Sequence, residues 1–337
     1  IKSEQNCVID KSNNTLLLAC NSSTFPSSVT SISAYAFGIC NVMTKLSIPS
    51  TVTSISQNAF YGMSNLTEIT LPFVGGTAEY STDKIYSGIY LFGYVFGSGV
   101  EKFEGGVLIT QKTGYGDTYS HTFYIPAKLT KVTLLNGIVH AGGFLNCTNL
   151  TEINGITYLD NYALGNCTGL KSVNLSNYTS NAIAECAFMG TGITSINIPS
   201  SITNIGSSAF EDCKDLRTVT INSNANIPDT CFKGCVSLTN VTIPTNSTMN
   251  YIGWGAFKDC SSLKSFIVTA KVTTLCGNAF EGCSALTSVT FKDTNGWHVT
   301  RDKNQYGSDL VVTNAQTNVT NLTDTNSSAY GKWWLKG

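Results

Sequence analysis

Two stretches decide the fold: IGSSAFEDCKDLRTVTI at residues 205–221 and LCGNAFEGCSALTSVTF at residues 275–291. Each carries an apolar residue, a Phe five positions later, a Cys three after the Phe, a Leu three after that, and then two apolar residues separated by one polar residue. With the Phe as position zero, the phrase recurs at Phe37, Phe60, Phe144, Phe188, Phe210, Phe232, Phe257 and Phe280, with Leu164 substituting once. Position +3 holds Cys40, Met63, Cys147, Cys167, Thr191, Cys213, Cys235, Cys260 and Cys283. Position +6 holds Met43, Leu66, Leu150, Leu170, Leu216, Leu238, Leu263 and Leu286, and the Phe188 repeat, one residue short, uses Ile193.

Successive Phe slots lie 20 to 25 residues apart, save one gap of 84 between Phe60 and Phe144. A period in the low twenties is the solenoid range of leucine-rich repeats. One such unit cannot bury its own Phe, Leu and Val, whereas stacked units bury all of them together. The apolar–polar–apolar step, as in Val219 and Ile221, has period two and puts both side chains on one face of a short strand. Equivalent steps in successive coils are then expected to pair into a parallel sheet. The pattern predicts a β-rich, right-handed leucine-rich repeat solenoid with that sheet on its concave face, short turns or helical pieces between strands, and a cap at each end. Val173 and Leu175 are expected to form one of the strand steps.

These residues resemble the BspA-like leucine-rich repeats, also called the Treponema pallidum type, and the opening NCVIDKSNNTLLLAC (6–20) is similar to the hairpin that often starts such domains. The resemblance covers residues 6–71 and 124–291. It implies a surface-exposed or secreted protein of a host-associated bacterium or protist; some such proteins are adhesins for host matrix proteins or other cells.

The expected organisation is an N-terminal β-hairpin cap over 1–28, repeats over 29–71, a Gly- and aromatic-rich insertion or set of degenerate repeats over 72–123, repeats again over 124–291, and a C-terminal cap over 292–337. The 72–123 segment holds ten Gly and eleven Phe or Tyr in 52 positions.

Composition narrows function. Of 337 residues only 12% are charged, with 20 basic and 21 acidic, while 110 are Ser, Thr or Asn. A surface that tracks phosphates needs clustered Lys and Arg, which are absent here, so nucleic acid is not an expected partner. No run reaches the roughly 18 apolar residues of a membrane span, so no membrane insertion is expected. Three histidines, His121, His140 and His298, give little material for His-based catalysis or zinc. The chain begins at Ile1, and an export signal removed from a longer precursor is the expectation.

Twelve cysteines invite a disulfide reading. Seven occupy the +3 slot, however, where Met63 and Thr191 also fit. Stacked coils would hold those Cβ vectors parallel, too far apart for a bridge. Buried free thiols are therefore expected there, and Cys186, Cys231 and Cys276 are read as core. Cys7 and Cys20, at the open ends of the hairpin strands, fit either a bridge or two thiols. Cys231-x-x-x-Cys235 lacks a second ligand pair for zinc. Asp83, Asp117, Glu101 and Glu104 are read as solvated loop charges, not a catalytic pair. Phosphate loops, zinc-protease and nucleophile-elbow motifs are absent from the sequence. No catalytic, metal or cofactor-binding residue is assigned, and no enzyme activity is expected.

What remains is surface. Outward positions on the strands are polar and rich in Thr, which suits exposed strands whatever the function. The candidate partner-binding residues are Thr67, Glu68, Thr70, Asn174, Asn197, Arg217, Thr220 and Thr242 on the sheet face, with Tyr86, Tyr90 and Tyr94 in the aromatic segment. The expected role is a monomeric, extracellular or cell-surface interaction module that adheres to a protein or glycan, the alternative being a spacer that presents other parts of a larger surface protein.

Overall fold

A computed structural model describes residues 1–21, 25–113, 119–300, 308–309, 315–323 and 333–336 of the chain. These divide into two compact units, Ile1–Tyr178 and Thr179–Gly337.

The first unit opens with antiparallel strands Lys2–Glu4, Cys7–Asp10 and Thr15–Leu18. The last of these passes in parallel to Ser31–Ile32 and then Ser54–Ile55, the short strands formed at the apolar residue five before each Phe. On the second side of the coils, Lys45–Ser47, Glu68–Leu71, Lys131–Leu134 and Glu152–Asn154 form one parallel sheet, with Leu46, Ile69, Val132 and Ile153 in register. In the second unit Ser195–Ile198, Thr218–Ile221 and Asn240–Thr242 form one parallel sheet and Ser265–Val268 pairs with Ser288–Phe291 in another. Alternation buries Val219 and Ile221 while Thr218 is exposed.

The third side of each coil is the Phe turn, and its backbone explains the repeat. Beyond the first coil, residues two before and two after the repeat Phe take left-handed backbone, as at Ser208 (φ 55) and Asp212 (φ 56), Thr230 (φ 53) and Gly234 (φ 73). This points the N–H groups at −2, 0 and +2 the same way. Ser208, Phe210 and Asp212 donate to the carbonyls of Asp229, Cys231 and Lys233 in the next coil, at 3.1, 2.9 and 2.7 Å. Position +2 is Gly, Asn or Asp in most coils, the residues that tolerate this conformation. At Gly234 a β-carbon would also collide with the Asp212 carboxylate.

Inside the turns lie the rings. Phe188, Phe210, Phe232, Phe257 and Phe280 stack at centroid distances of 5.0, 5.3, 5.5 and 5.4 Å, with planes within 12°. All are buried. Each burial contributes roughly 1.5–3 kcal/mol.

The 72–123 segment enters the first unit's column. Tyr94 and Val95 accept from Asn58 N–H (3.2 Å) and Phe60 N–H (2.8 Å), the bonds that Asn58 and Ala59 accept from the coil before. Phe96 therefore occupies a Phe slot, and the ring series runs Phe37, Phe60, Phe96, Phe92, Phe144 at 5.4, 5.8, 5.1 and 4.8 Å. The segment adds no strand to the sheet, because Glu68–Leu71 pairs directly with Lys131–Leu134. Its excess length goes into an antiparallel hairpin, Gly106–Lys112 with Ser120–Pro126. Buried Gln111 locks that hairpin to the column: its Oε1 accepts from Gly93 N–H (2.8 Å) and its Nε2 donates to the Gly143 carbonyl (2.9 Å).

The expected strand at Val173 and Leu175 is not formed. Asn174 Oδ1 accepts from Ser176 N–H at 2.9 Å, a local turn bond that competes with ladder pairing. Beyond Phe291, Trp297–Thr300 and Trp333–Lys336 pair antiparallel, and the latter strand covers Thr274–Leu275. The helix Ala315–Thr323 lies against Ser288–Phe291, with Asn318 Nδ2 donating to the Val289 carbonyl at 3.0 Å.

Phe96→Ala is expected to cost about 3–5 kcal/mol, the same as Phe210→Ala. Both should lower the melting temperature clearly. A Phe96→Ala melt superimposable on the parent's would show the segment to be an appended loop and not a coil.

Candidate functional site

Three groups of side chains offer chemistry: the thiols, the outward sheet faces and the aromatic surface of the 72–123 segment.

No disulfide joins any of the twelve cysteines, Cys7 and Cys20 included. In the +3 slot the thiols are rungs. Cys167, Cys213, Cys235, Cys260 and Cys283 each donate through Sγ to the carbonyl of the Phe one coil back, at 3.0–3.1 Å. Thr191, in the same slot, meets Cys213 Sγ at 3.3 Å. Burial pushes the Cys167 and Cys283 thiols up to about 12 and Cys40 to about 11, and raises Cys147, Cys231, Cys235 and Cys260. A buried thiol held protonated is a poor nucleophile and a poor metal ligand. Among the described residues no group of three or more His, Cys, Asp or Glu is placed to hold a metal ion, and no helix is long and apolar enough to cross a membrane.

On the first unit's sheet face, Lys45, Glu68, Lys131 and Glu152 stand in register across four strands with alternating sign. Lys45 meets Glu68 and Lys131 meets Glu152, both at 2.9 Å. The Asn154 amide first, and then Lys131, hold the Glu152 carboxyl below the usual carboxylate range. Exposed pairs of this kind fix register and add little else. Thr67 is half-buried and its hydroxyl donates to the Thr44 carbonyl (2.9 Å), as Thr239 does to Arg217 and Thr287 to Lys264 (both 3.1 Å). Thr at this position is thus a rung between coils. Thr70 is half-buried and Asn174 exposed.

The second unit's face carries Asn197, Thr220 and Thr242 in register. Asn197 Oδ1 accepts from Asn222 at 2.6 Å; Arg217 and Thr242 are exposed. Ile267 takes the outward position one coil further on and is 50% exposed. An apolar residue in a slot otherwise filled by Ser, Thr or Asn was readable in the sequence and was not among the candidates.

Of the aromatic candidates, Tyr86 is exposed and stacks on Tyr119 at 4.0 Å. Tyr94 is half-buried. Tyr90 is corrected: it is 2% exposed, and its hydroxyl accepts from Ser81 N–H (2.6 Å) and donates to the Glu79 carbonyl (3.1 Å), so it presents no surface. The ring is needed inside, where it packs on Tyr80 and on His140, whose pKa burial lowers. Tyr80, 53% exposed, stacks on His140 at 4.8 Å and is the aromatic that the sequence reading missed. Glu101 is corrected too: it is half-buried and accepts from Tyr35 Oη (2.7 Å) and Asn58 Nδ2 (2.9 Å), a structural role. Asp83 and Glu104 are exposed, and Asp117 lies outside the described residues.

Repeating coils, most of them with one strand, one Phe turn and one short strand, define a leucine-rich repeat solenoid. The family described as BspA type Leucine rich repeat region (6 copies) matches residues 16–104, 109–186, 138–248 and 181–297, and the chain belongs to that family. No curated protein matches the chain. Among solved structures, it is similar to a leucine-rich repeat protein from Bacteroides ovatus (21% identity, 86% of this chain and 85% of that one, TM-score 0.35). It is also similar to a leucine rich cell surface protein from Faecalibacterium prausnitzii (16% identity, 87% and 95%, TM-score 0.32) and to the T. pallidum leucine rich repeat protein (16% identity, 78% and 91%, TM-score 0.26).

Thiol titration of the native chain should be slow, and twelve thiols should react after denaturation without reductant. The raised thiols also set a pH dependence. The unfolded chain ionises near the ordinary 9.0 and folded Cys167 and Cys283 near 12, so their stabilising contribution is complete below pH 9 and is lost as pH rises from 9 through 12. Denaturant midpoints measured across that window should fall; a flat profile would contradict the buried-thiol geometry.

Proposed function

We propose that this chain is a non-enzymatic interaction module, secreted or displayed at a bacterial cell surface, that adheres to a protein or glycan through its solenoid surface. Family membership supports a surface protein-interaction role, since leucine-rich repeat solenoids typically bind and do not catalyse. The observation that carries the reading is the ladder-held array of outward side chains. Parallel pairing fixes Ser195, Thr218 and Asn240 in one row and Asn197, Thr220 and Thr242 in the next. Strands about 4.8 Å apart present such rows as a rigid, repeating set of polar groups, pre-ordered at little entropic cost on binding. In the first unit the corresponding ladder-held residues are Glu68 and Thr70; Asn174 is exposed in a turn, and Tyr80, Tyr86 and half-buried Tyr94 form a separate aromatic surface. The proposed contacts are these exposed and half-buried groups together with Arg217; Thr67 contributes as a rung.

With charges so sparse, attraction is short-ranged and only mildly salt-dependent. The test is a binding screen against extracellular-matrix proteins and a glycan array, repeated with two variants: Glu68→Ala with Asn174→Ala and Arg217→Ala, and Tyr80→Ala with Tyr86→Ala. At least one should bind the partner about tenfold more weakly, the loss expected when a few central contacts are truncated. Undiminished binding by both would remove these surfaces from consideration, and a chain that binds nothing on either panel would favour a spacer.

A further inference from the structure

Within the second unit the strand ladder is interrupted. Asn240–Thr242 pairs with Thr218–Ile221, Ser265–Val268 pairs with Ser288–Phe291, and no pairing joins Asn240–Thr242 to Ser265–Val268. The same two coils stay joined on their other sides. Phe232 N–H donates to the Ala256 carbonyl at 2.8 Å, the two Phe rings stack at 5.5 Å, and Ile227 bridges Ile252 in parallel. The opening is therefore confined to the strand side.

Two sequence features account for it. The strand slot here holds Phe266 where neighbouring coils hold Val219, Val241 and Val289, and its ring fills the column against Phe257 and Phe280 at 5.0 and 5.1 Å. In addition, the corner from Ile243 to Ile252 is two residues longer than that from Ile198 to Ile205. A bulky wedge and a slack corner let the strands part.

Between them lies a cleft of about 500 Å³ whose lining includes Val241, Ile243, Ile267, Thr269 and Lys292. Val241 and Ile243 are half-buried here, although their counterparts Val219, Ile221, Val289 and Phe291 are buried. Thr269 is 5% exposed and its hydroxyl has no partner. Two strands that face each other unpaired offer open backbone donors and acceptors, the template for an added strand. No aromatic ring lines the cleft, so a saccharide would lack a stacking platform. Lys292 is the charged group in the lining and calls for an acidic complement.

We infer that this cleft binds an extended acidic–aliphatic peptide segment of a protein partner. Its main chain pairs with an open strand edge, a Val, Ile or Leu side chain seats against Val241, Ile243 and Ile267, the Thr269 hydroxyl meets a peptide group, and a carboxylate reaches Lys292. The inference rests on the reading of the chain as an interaction module and names one partner class and one place for it.

The test is a fluorescence-anisotropy titration of the full chain with a labelled hexapeptide, Thr-Val-Thr-Ile-Asp-Thr, and with the same peptide N-methylated at alternate residues. Saturable binding is expected for the first only, because N-methylation removes the donors that strand pairing needs. Lys292→Glu should weaken binding about fivefold. Ile267→Asp, at an exposed position that leaves the fold intact, should weaken it about tenfold or more. No binding, equal binding of the N-methylated peptide, or full affinity after both substitutions would overturn the assignment. So would a concentration-dependent dimer that Ile267→Asp abolishes, which would make the cleft a contact between copies. A chain that ignores the peptide yet binds a matrix protein through Glu68, Asn174 and Arg217 would overturn the cleft alone and leave the wider reading standing.

Discussion

Each coil of this protein completes its hydrogen bonding on its neighbour, and that requirement shapes nearly everything else. A 22-residue coil has no internal helix or hairpin to satisfy its backbone, and buried peptide groups cannot be left unpaired. At the Phe turn the solution is two residues of left-handed backbone, exemplified by Ser208 and Asp212, which aim three N–H groups at three carbonyls of the next coil. After the Phe the conformational cost is met with Gly, Asn or Asp, whereas before it Tyr35, Tyr162, Cys186, Ser208 and Thr230 adopt the same conformation. Short side-chain donors complete the scheme. The slot thiols and the Thr hydroxyls reach carbonyls one coil back because they are small enough to sit between coils spaced by a strand width.

The same constraint explains how the two irregular places are tolerated. The 72–123 segment departs from the repeat in spacing and composition, yet Tyr94 and Val95 supply the carbonyls that Asn58 and Phe60 need. Phe96 supplies the ring. Once those bonds are made, the remaining length is free to form a hairpin pinned by Gln111. At the step from Val241 to Phe266 the reverse holds: the Phe turn and the short strand keep their bonds, and only the strand ladder is given up. A coil held on two sides out of three stays stacked, and the third side opens into a cleft.

For a protein read as an interaction module, this division matters. Thr enrichment looks like a binding face, but Thr67, Thr239 and Thr287 spend their hydroxyls between coils. The side chains proposed to meet a partner are the others: Glu68, Asn174, Asn197, Arg217, Thr242, the half-buried Thr70 and Thr220, and the aromatics Tyr80, Tyr86 and Tyr94. The Lys45–Glu68 and Lys131–Glu152 pairs set opposite charges against each other on the first unit's sheet.

By itself the sequence determined the coil. The period, the slots of Phe, Cys and Leu, and the period-two strand step follow from burial and alternation, which are local and repeated nine times over. Free thiols in the +3 slot were legible for the same reason, since a position that accepts Met63 and Thr191 is defined by size. Tertiary structure alone decided which irregular residues rejoin the column. Tyr90 and Glu101 read as surface because no periodicity marks them, and their burial depends on chain segments far away in sequence: His140 for the one, Tyr35 and Asn58 for the other. It also decided where the ladder fails. Phe266 fits the strand slot by every sequence criterion; only the stacked coils bring its ring against both Phe257 and Phe280 at the step where the ladder stops.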